Sequence, residues 1–455
     1  ISRKLFQLGH ENEITNNILD IDFTPNRGDC LSIKGLLRDL KAFYEIDLDF
    51  KIYENNIDEF KFIFENHATD DCPKISFMKI EIDKKISKYK DYFNRYFVDL
   101  DNNTNNFFTD ISNFISYETG QPIHCYDAKK ISNTISLGRI KEAHQFNNLF
   151  DEKIELNKND LVFKNDDEII NLAGIIGGKN SACSKNTFSV IVECAYFNPE
   201  SIIGKSVKYG INSEAAYKFE RGVDIMSQEL VLRRFAKVVE DHVPIKSIEL
   251  CSNIYSEYRA PKIPYSVDKI NKVLGTNISN DECLNYLKKF GFKNDNELIV
   301  VPSHRNDISS INDLSEEVAR SIGYDNIKRE PISIKTKSKV SYNHLETIIR
   351  NALLKSGFYE VINSPFVSKN SKNAIKIDNP LDSRKRYLRT NLKDSLIENL
   401  LYNERRQKDS IKLFEISNIY NSLDKQNNEK KIGIIASGRV GKNYRDFSKK
   451  IDTNY

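Results

Sequence analysis

The sequence contains no tryptophan, only two methionines and no apolar run approaching the length of a membrane span. A membrane protein is not expected. Seven cysteines (Cys30, Cys72, Cys125, Cys183, Cys194, Cys251 and Cys283) are scattered, odd in number and never spaced C-x-x-C, which argues against a disulfide framework and against a zinc site. A reducing, cytoplasmic setting is the expectation. An excess of one charge is also missing: 68 basic against 65 acidic residues leave +3, so no broad field advertises a polyanion, and any nucleic-acid contact must be local. What is present in quantity is core material, with 39% hydrophobic residues including 26 Phe and 22 Tyr. The wealth of Lys, Asn and Ile reads as compositional drift, so surface asparagines carry little functional weight. A chain of 455 residues exceeds one hydrophobic core and predicts roughly three or four domains.

Along the chain, a short strand at 18–23 leads through the turn residues Pro25 and Gly28 into helical spacing at 31–44. Residues 75–82 alternate as a strand. Between 75 and 235 strands at 161–163, 168–172 and 189–194 mix with helices at 109–118 and from 214 onward, continuing as a long amphipathic helix over 223–242. Pro261 and Pro264 mark 258–265 as a linker. Helix 267–274, helix 280–290, strand 298–301 and an acidic helix follow in a span short enough for a winged-helix shape. The last region predicts helices at 344–356 and 394–403 and strands at 411–420 and 431–436. No internal repeat or heptad array is present.

The acidic helix belongs to the stretch PSHRNDISSINDLSEEVAR. Asp313, Glu316 and Glu317 stand at i, i+3 and i+4, with Asp307 arriving from the preceding loop, so four carboxylates can converge. Their mutual repulsion is relieved by a hard divalent cation such as Mg²⁺ or Ca²⁺. A second reading stands beside it: Asp313 at N3 is also a capping-box residue, and acids in a first helical turn complement the macrodipole without metal. Elsewhere, LAGIIGGKNS is glycine-rich, but no G-K-[ST] follows and a phosphate loop of the Walker type is excluded.

Taken together, TPNRGDCLSIKGLLRDL, ETGQPIHCYDAKKI, LAGIIGGKNSACS, VECAYFNPESI, AAYKFERGVD, PSHRNDISSINDLSEEVARSIGYDNI and NPLDSRKRYLRTNLKDSLIENL closely resemble successive blocks of the bacterial phenylalanyl-tRNA synthetase β subunit, in the same order and spacing. The resemblance implies a multidomain α+β chain with an N-terminal α/β unit (1–74), an α/β editing domain (75–240), a winged-helix-like domain (258–330) and an incomplete class II synthetase-like antiparallel sheet domain (335–455). With Ile1 at its start and these blocks alone, the chain reads as a middle piece lacking both ends of the family pattern.

The implied function is that of a β subunit in an (αβ)₂ ligase. Its α subunit attaches phenylalanine to tRNA(Phe) using ATP and Mg²⁺; the β subunit edits Tyr-tRNA(Phe), contacts tRNA and scaffolds. No DNA partner is expected. The resemblance assigns Asp307, Asp313, Glu316 and Glu317 to Mg²⁺, Glu193 to acceptance of the tyrosine hydroxyl, and His124 to orienting the ester or a hydrolytic water. It places small residues at Gly177 and Ala215, and a hydroxyl at Ser213, in the same pocket. The chemistry is coherent, since an apolar synthetic pocket rejects a hydroxyl-bearing analogue poorly, whereas an acid left unpaired by phenylalanine discriminates by about 1–3 kcal/mol. One departure stands out: where relatives carry a Gly-Ile-Arg-like run this chain has DLDNNTNNFF, with Asn103 in place of the arginine, and weakened editing is the expectation. The synthetase-like end is expected to be a scaffold in which Arg389 and Glu415 are ion partners rather than ATP ligands. Rival readings are a freestanding tRNA deacylase confined to 75–235, a non-editing scaffold, and a nucleic-acid-binding regulator built on 258–330.

Overall fold

The computed structural model describes residues 1–329 apart from 17, 47–49, 87 and 133, together with 344–421 apart from 369, 372 and 373, and 429–440 and 449–451. Two compact units are present, Ile1–Pro331 and Ile332–Tyr455. The first nine or so positions of the expected 335–455 domain lie outside the described residues.

The first unit is organised around strand Ser189–Tyr196 (SVIVECAY), which has seven buried residues and is covered on both faces. Side chains alternate across a sheet. Val190, Val192 and Cys194 pack against helices Asp91–Asp99, Phe107–Thr119 and Gln228–His242, whereas Ile191 and Ala195 pack toward a second sheet. The central sheet orders Asp58–Glu59, Ile245–Ile254, Lys74–Ile82, Ser189–Tyr196 and His124–Asp127; the second orders Ile176–Gly177, Glu168–Leu172, Leu161–Asn165, Thr134–Arg139 and Ile63–Asn66. Only the first pair of the central sheet and the last pair of the second are parallel. The region expected as an α/β domain is therefore a mixed α+β body, with three helices on one face of the central sheet and the second sheet on the other. Crossover helices between parallel strands, the mark of α/β folds, are not what connects these strands.

The helix expected over 223–242 is broken. Helix Glu214–Arg221 ends at Gly222, whose φ of 87° is a left-handed-side conformation suited to glycine, and Asn306 occupies the space where a side chain would begin. The second helix starts at Gln228. The expected linker at 258–265 contains instead the strand Lys262–Pro264, which pairs with Leu298–Val300 at the edge of a three-stranded antiparallel sheet. An edge tolerates the prolines that an interior strand would not. Helices Val267–Leu274, Asn280–Lys289 and Ile311–Ile322 enclose that sheet over a core of Ile263, Ile270, Leu287, Ile299, Leu314 and Val318.

The N-terminal segment is pinned to this region by an ionic lattice. Arg320 donates to Asp39 at 2.7 Å and to Glu317 at 2.6 Å, Arg27 reaches both Asp29 and Asp39 at 2.9 Å, and Arg305 forks onto Glu317 and Asp307 at 2.7–2.9 Å. All of these groups are buried or nearly so. Leu8 and Ala42 join the same core.

In the second unit, strands Tyr359–Glu360, Ser410–Ile419, Glu429–Val440 and Lys449–Lys450 form a sheet against which helix Lys393–Glu404 packs through Leu396. Arg389 and Glu415 pair at 2.7 Å, both buried, and Asn363 donates to the same carboxylate at 2.8 Å. They hold strand to loop.

Removing one member of a buried ion set strands its partners. Arg320→Ala is expected to lower the unfolding free energy by about 3–5 kcal/mol in urea titrations, against less than about 1 kcal/mol for the exposed pair partner Lys262→Ala; equal losses would show that the lattice is not what joins the two regions.

Candidate active site

Strand His124–Asp127 pairs with Ser189–Tyr196 so that His124 lies directly opposite Glu193 and Tyr126 opposite Ile191. Directly opposed side chains, and those two residues along, share a face. His124, Tyr126 and Glu193 therefore project together between the two sheets. His124 and Glu193 do so at the wall of a cleft of about 540 Å³ that Gly177, Ser213 and Ala215 also line. All five expected pocket residues meet there.

Glu193 is 4% exposed. Tyr126 donates to its Oε2 at 2.8 Å, and Asn171 in turn donates to the Tyr126 hydroxyl oxygen at 3.0 Å. No side chain among the described residues holds Oε1 at hydrogen-bond distance, and that oxygen is the one left for a ligand in the cleft. Burial pushes the carboxyl up from its ordinary 4.5 to about 7, against the Tyr126 hydrogen bond, which favours the charged form. Ile175, Ile176, Phe197 and Phe219 contribute apolar parts of the cleft walls, alongside Asn171 and Asn212.

The His124 imidazole stacks edge-on against Tyr126 with centroids 4.5 Å apart. Burial pushes its pKa down to about 4, so the ring is neutral at physiological pH, and its Nε2 has no hydrogen-bond partner. A neutral imidazole with a free nitrogen can accept a proton from water. Gly177 leaves room for this ring: a Cβ there would stand 2.2 Å from His124 Cε1 and 2.6 Å from Nε2. Here the glycine is required by a close approach rather than by a turn.

Ser213 is spent differently from a free pocket hydroxyl. It caps helix Glu214–Arg221, accepting from the Ala216 N–H at 3.2 Å, and donates to the Ile175 carbonyl at 2.6 Å. Ala215, two positions on, is half-buried against the core and lines the cleft. Lys218, from the same helix, is buried and donates to the Ser116 carbonyl at 2.7 Å and hydroxyl at 2.9 Å; burial pushes its pKa down to about 8. It locks the helix that carries Ala215 onto helix Phe107–Thr119. Asn103 lies on the cleft rim, as its alignment with an arginine position implied, and brings no charge. Tyr126, Asn171 and Lys218 were not singled out from sequence; Tyr126 alone had a signal, two residues after His124 on a strand.

The four acids of 307–317 do not gather. Asp307 and Glu317 are bound by Arg305, and Glu317 also by Arg320. Asp313 completes a capping box, its Oδ2 accepting from the Ser309 and Ser310 N–H groups at 2.8 Å each. Glu316 is exposed. Burial raises the Glu317 carboxyl, but Arg320 and Arg305 outweigh it and hold the group below its ordinary value. Among the described residues the only close set of potential metal ligands is His10, Cys30 and Asp39, and the Arg27 and Arg320 guanidiniums already neutralise it. Among the described residues the four acids form no close ligand set: guanidinium and amide donors take oxygens of Asp307, Glu317 and Asp313, and Glu316 is exposed apart from them.

Three family models match the chain in series: the B3/4 domain over residues 72–244, the tRNA synthetase B5 domain over 263–324, and the phenylalanyl tRNA synthetase beta chain CLM domain over 327–453. The chain is 30% identical to the phenylalanine–tRNA ligase beta subunit of Fusobacterium nucleatum over 95% of its own length and 57% of that protein. It is 31% identical to the corresponding subunit of Coxiella burnetii, over 89% of this chain and 53% of that protein. For Aquifex aeolicus the figures are 28%, 92% and 55%. The chain spans about half the length of the curated relatives it matches.

The displaced pKa values set a pH test. With a folded value near 7 against 4.5, Glu193 holds a proton in the folded chain that the unfolded chain releases, so its contribution to stability falls as pH rises from about 4.5 to about 7. His124, near 4 against 6.5, works oppositely, its contribution growing as pH rises through that window. Glu193→Gln removes the falling component, and its stability relative to the unaltered chain is expected to grow between pH 5 and pH 8 by up to about 3 kcal/mol in urea unfolding. A difference flat in pH would contradict the buried carboxyl. Chelation of divalent cations is expected to leave the unfolding midpoint of the chain unchanged; a drop would restore the metal reading.

Proposed function

The chain belongs to the phenylalanine–tRNA ligase β-subunit family, and from that premise we propose that it serves such a ligase by hydrolysing tyrosine wrongly esterified to tRNA(Phe). Attachment of phenylalanine, with its ATP and Mg²⁺, falls to an α subunit. The observation that carries this reading is the position of Glu193: a buried carboxylate in the cleft wall, one oxygen fixed by Tyr126 and the other without a side-chain partner among the described residues.

A tyrosyl side chain entering the cleft brings its para hydroxyl to that free oxygen. Phenylalanine brings none. The buried acid then stays unpaired, and the correct amino acid is disfavoured by about 1–3 kcal/mol. With the ring so seated, the ester carbonyl lies toward the mouth of the cleft. The neutral His124 supports the reaction by accepting a proton from water as the water oxygen adds to the carbonyl carbon; the ribose oxygen then leaves with the proton, giving free tyrosine and tRNA. Gly177 and Ala215 leave the volume the aminoacyl group needs. With Asn103 bringing no cation to the rim, slow hydrolysis is the expectation.

The scaffold part of the reading draws on the second unit, taken by itself. It exposes Leu345, Ile348, Tyr359, Ile362, Ile432 and Ile434, apolar side chains of the kind a partner subunit covers. This favours a subunit that pairs with α over a freestanding deacylase. The regulator reading has little support, since helix Asn280–Lys289 opens with Asp281 and Glu282 and offers only Lys288 and Lys289.

The test is deacylation of Tyr-tRNA(Phe) and Phe-tRNA(Phe) by the chain in complex with its α subunit. Glu193→Ala is expected to erase the preference for the tyrosyl ester, a loss on the order of 10- to 100-fold. Gly177→Ala, which pushes on the His124 ring, should slow tyrosyl hydrolysis by on the order of 100-fold while sparing the preference. Unchanged preference in Glu193→Ala would remove the assignment.

A further inference from the structure

A second cleft, of about 420 Å³, opens next to the first. The segment 102–106 is the ridge between them: Asn102 and Asn103 line the Glu193 cleft, Thr104 lines the second, and Asn105 and Asn106 line both. The second cleft has a different character. Lys84, Lys85, Lys88 and Lys185 stand around it, all exposed, and none of them enters an ion pair or side-chain hydrogen bond among the described residues.

The floor adds a second source of positive potential. Helix Phe107–Thr119 begins there, capped by the Asn106 side chain on the Thr109 N–H, and its 13 residues aim the positive end of the helix dipole at the cleft. One carboxylate, Asp110, also reaches the wall. It is fully buried and committed, accepting from the Tyr89 hydroxyl at 2.6 Å and from the Asn105 N–H at 2.8 Å. Lys185 also acts electrostatically on this carboxyl, favouring its charged form, whereas Lys84, Lys85 and Lys88 do not figure among its interactions.

We propose that this lysine-lined cleft binds the phosphodiester backbone of the single-stranded RNA end whose terminal ester occupies the Glu193 cleft. The inference rests on the editing reading for its occupant, and the juxtaposition supplies the reason. An aminoacyl ester sits on the last nucleotide, so the phosphates preceding it must run out over the rim, and the ridge at 102–106 separates the two clefts by only a few residues. Neutral asparagines on the ridge pass the chain without holding it; the ammonium groups beyond hold it. The cation absent at Asn103 is thereby replaced by cations one step along the RNA.

The probe is an RNA hairpin bearing a four-nucleotide 3′ tail, titrated with the full chain by fluorescence anisotropy at increasing KCl. The quadruple variant Lys84→Gln, Lys85→Gln, Lys88→Gln, Lys185→Gln should bind the tailed hairpin at least about tenfold more weakly at low salt, with the slope of log affinity against log salt smaller by roughly two to three. The control variant Lys269→Gln, Lys272→Gln, Lys288→Gln, Lys289→Gln should leave both unchanged. The same slope in the first variant, or the same loss in the control, overturns the proposal. Hydrolysis of tyrosyl adenosine ester, which has no phosphates, separates it from the reading beneath: the lysine variant should retain that activity and Glu193→Ala should lose it. If Glu193→Ala retained it, the editing reading would fall while the salt slopes still decided the lysines.

Discussion

One carboxylate held out of water between two sheets sets the terms for everything around it. An acid at the position of Glu193 costs the fold free energy at neutral pH. The surrounding residues limit that cost without removing the acid's usefulness. Tyr126 satisfies one oxygen and is itself fixed by Asn171; the second oxygen is left to whatever enters the cleft. A fully satisfied carboxylate would ignore the ligand. A wholly unsatisfied one would destabilise the strand or draw in water.

The same economy explains the neighbours. His124 faces Glu193 across the strand pair yet does not form an ion pair with it: burial keeps the imidazole neutral, and the missing side chain of Gly177 leaves room for the ring. Ser213 lines the cleft with its hydroxyl spent as the helix cap, and Lys218 acts on it through the same helix, as its tie to helix Phe107–Thr119. The acids of 307–317 show the opposite case, in which every buried carboxylate is answered by a guanidinium. There charge has been used for joining regions of chain.

Much of this was legible in the sequence. The long periodic segments became helices close to where spacing placed them, and the strand of Glu193 was marked by its run of Val, Ile and Ala. What failed to show was tertiary. Strand Ile245–Ile254 was missed because its alternation, with Lys246, Ser247 and Glu249 among the apolar residues, is that of a half-buried strand directly after a helix. The strand at Pro264 was hidden by residues that locally signal a turn. The four-carboxylate convergence followed from the helical spacing of the acids alone, whereas Arg305 and Arg320 in the same stretch take up Asp307 and Glu317. In the cleft, the residues carried by the family resemblance came together, whereas Asn171 and Lys218 act through partners distant in sequence and had no local signature.

The central claim is that the free oxygen of Glu193 reads a para hydroxyl. It is tested most directly by calorimetry of the full chain with two non-hydrolysable 3′-amide analogues of aminoacyl adenosine, one tyrosyl and one phenylalanyl. The account predicts that the tyrosyl analogue binds tighter by on the order of tenfold or more, and that the gap closes in Glu193→Ala with little change in phenylalanyl affinity. Equal binding of the two analogues to the unaltered chain would contradict it.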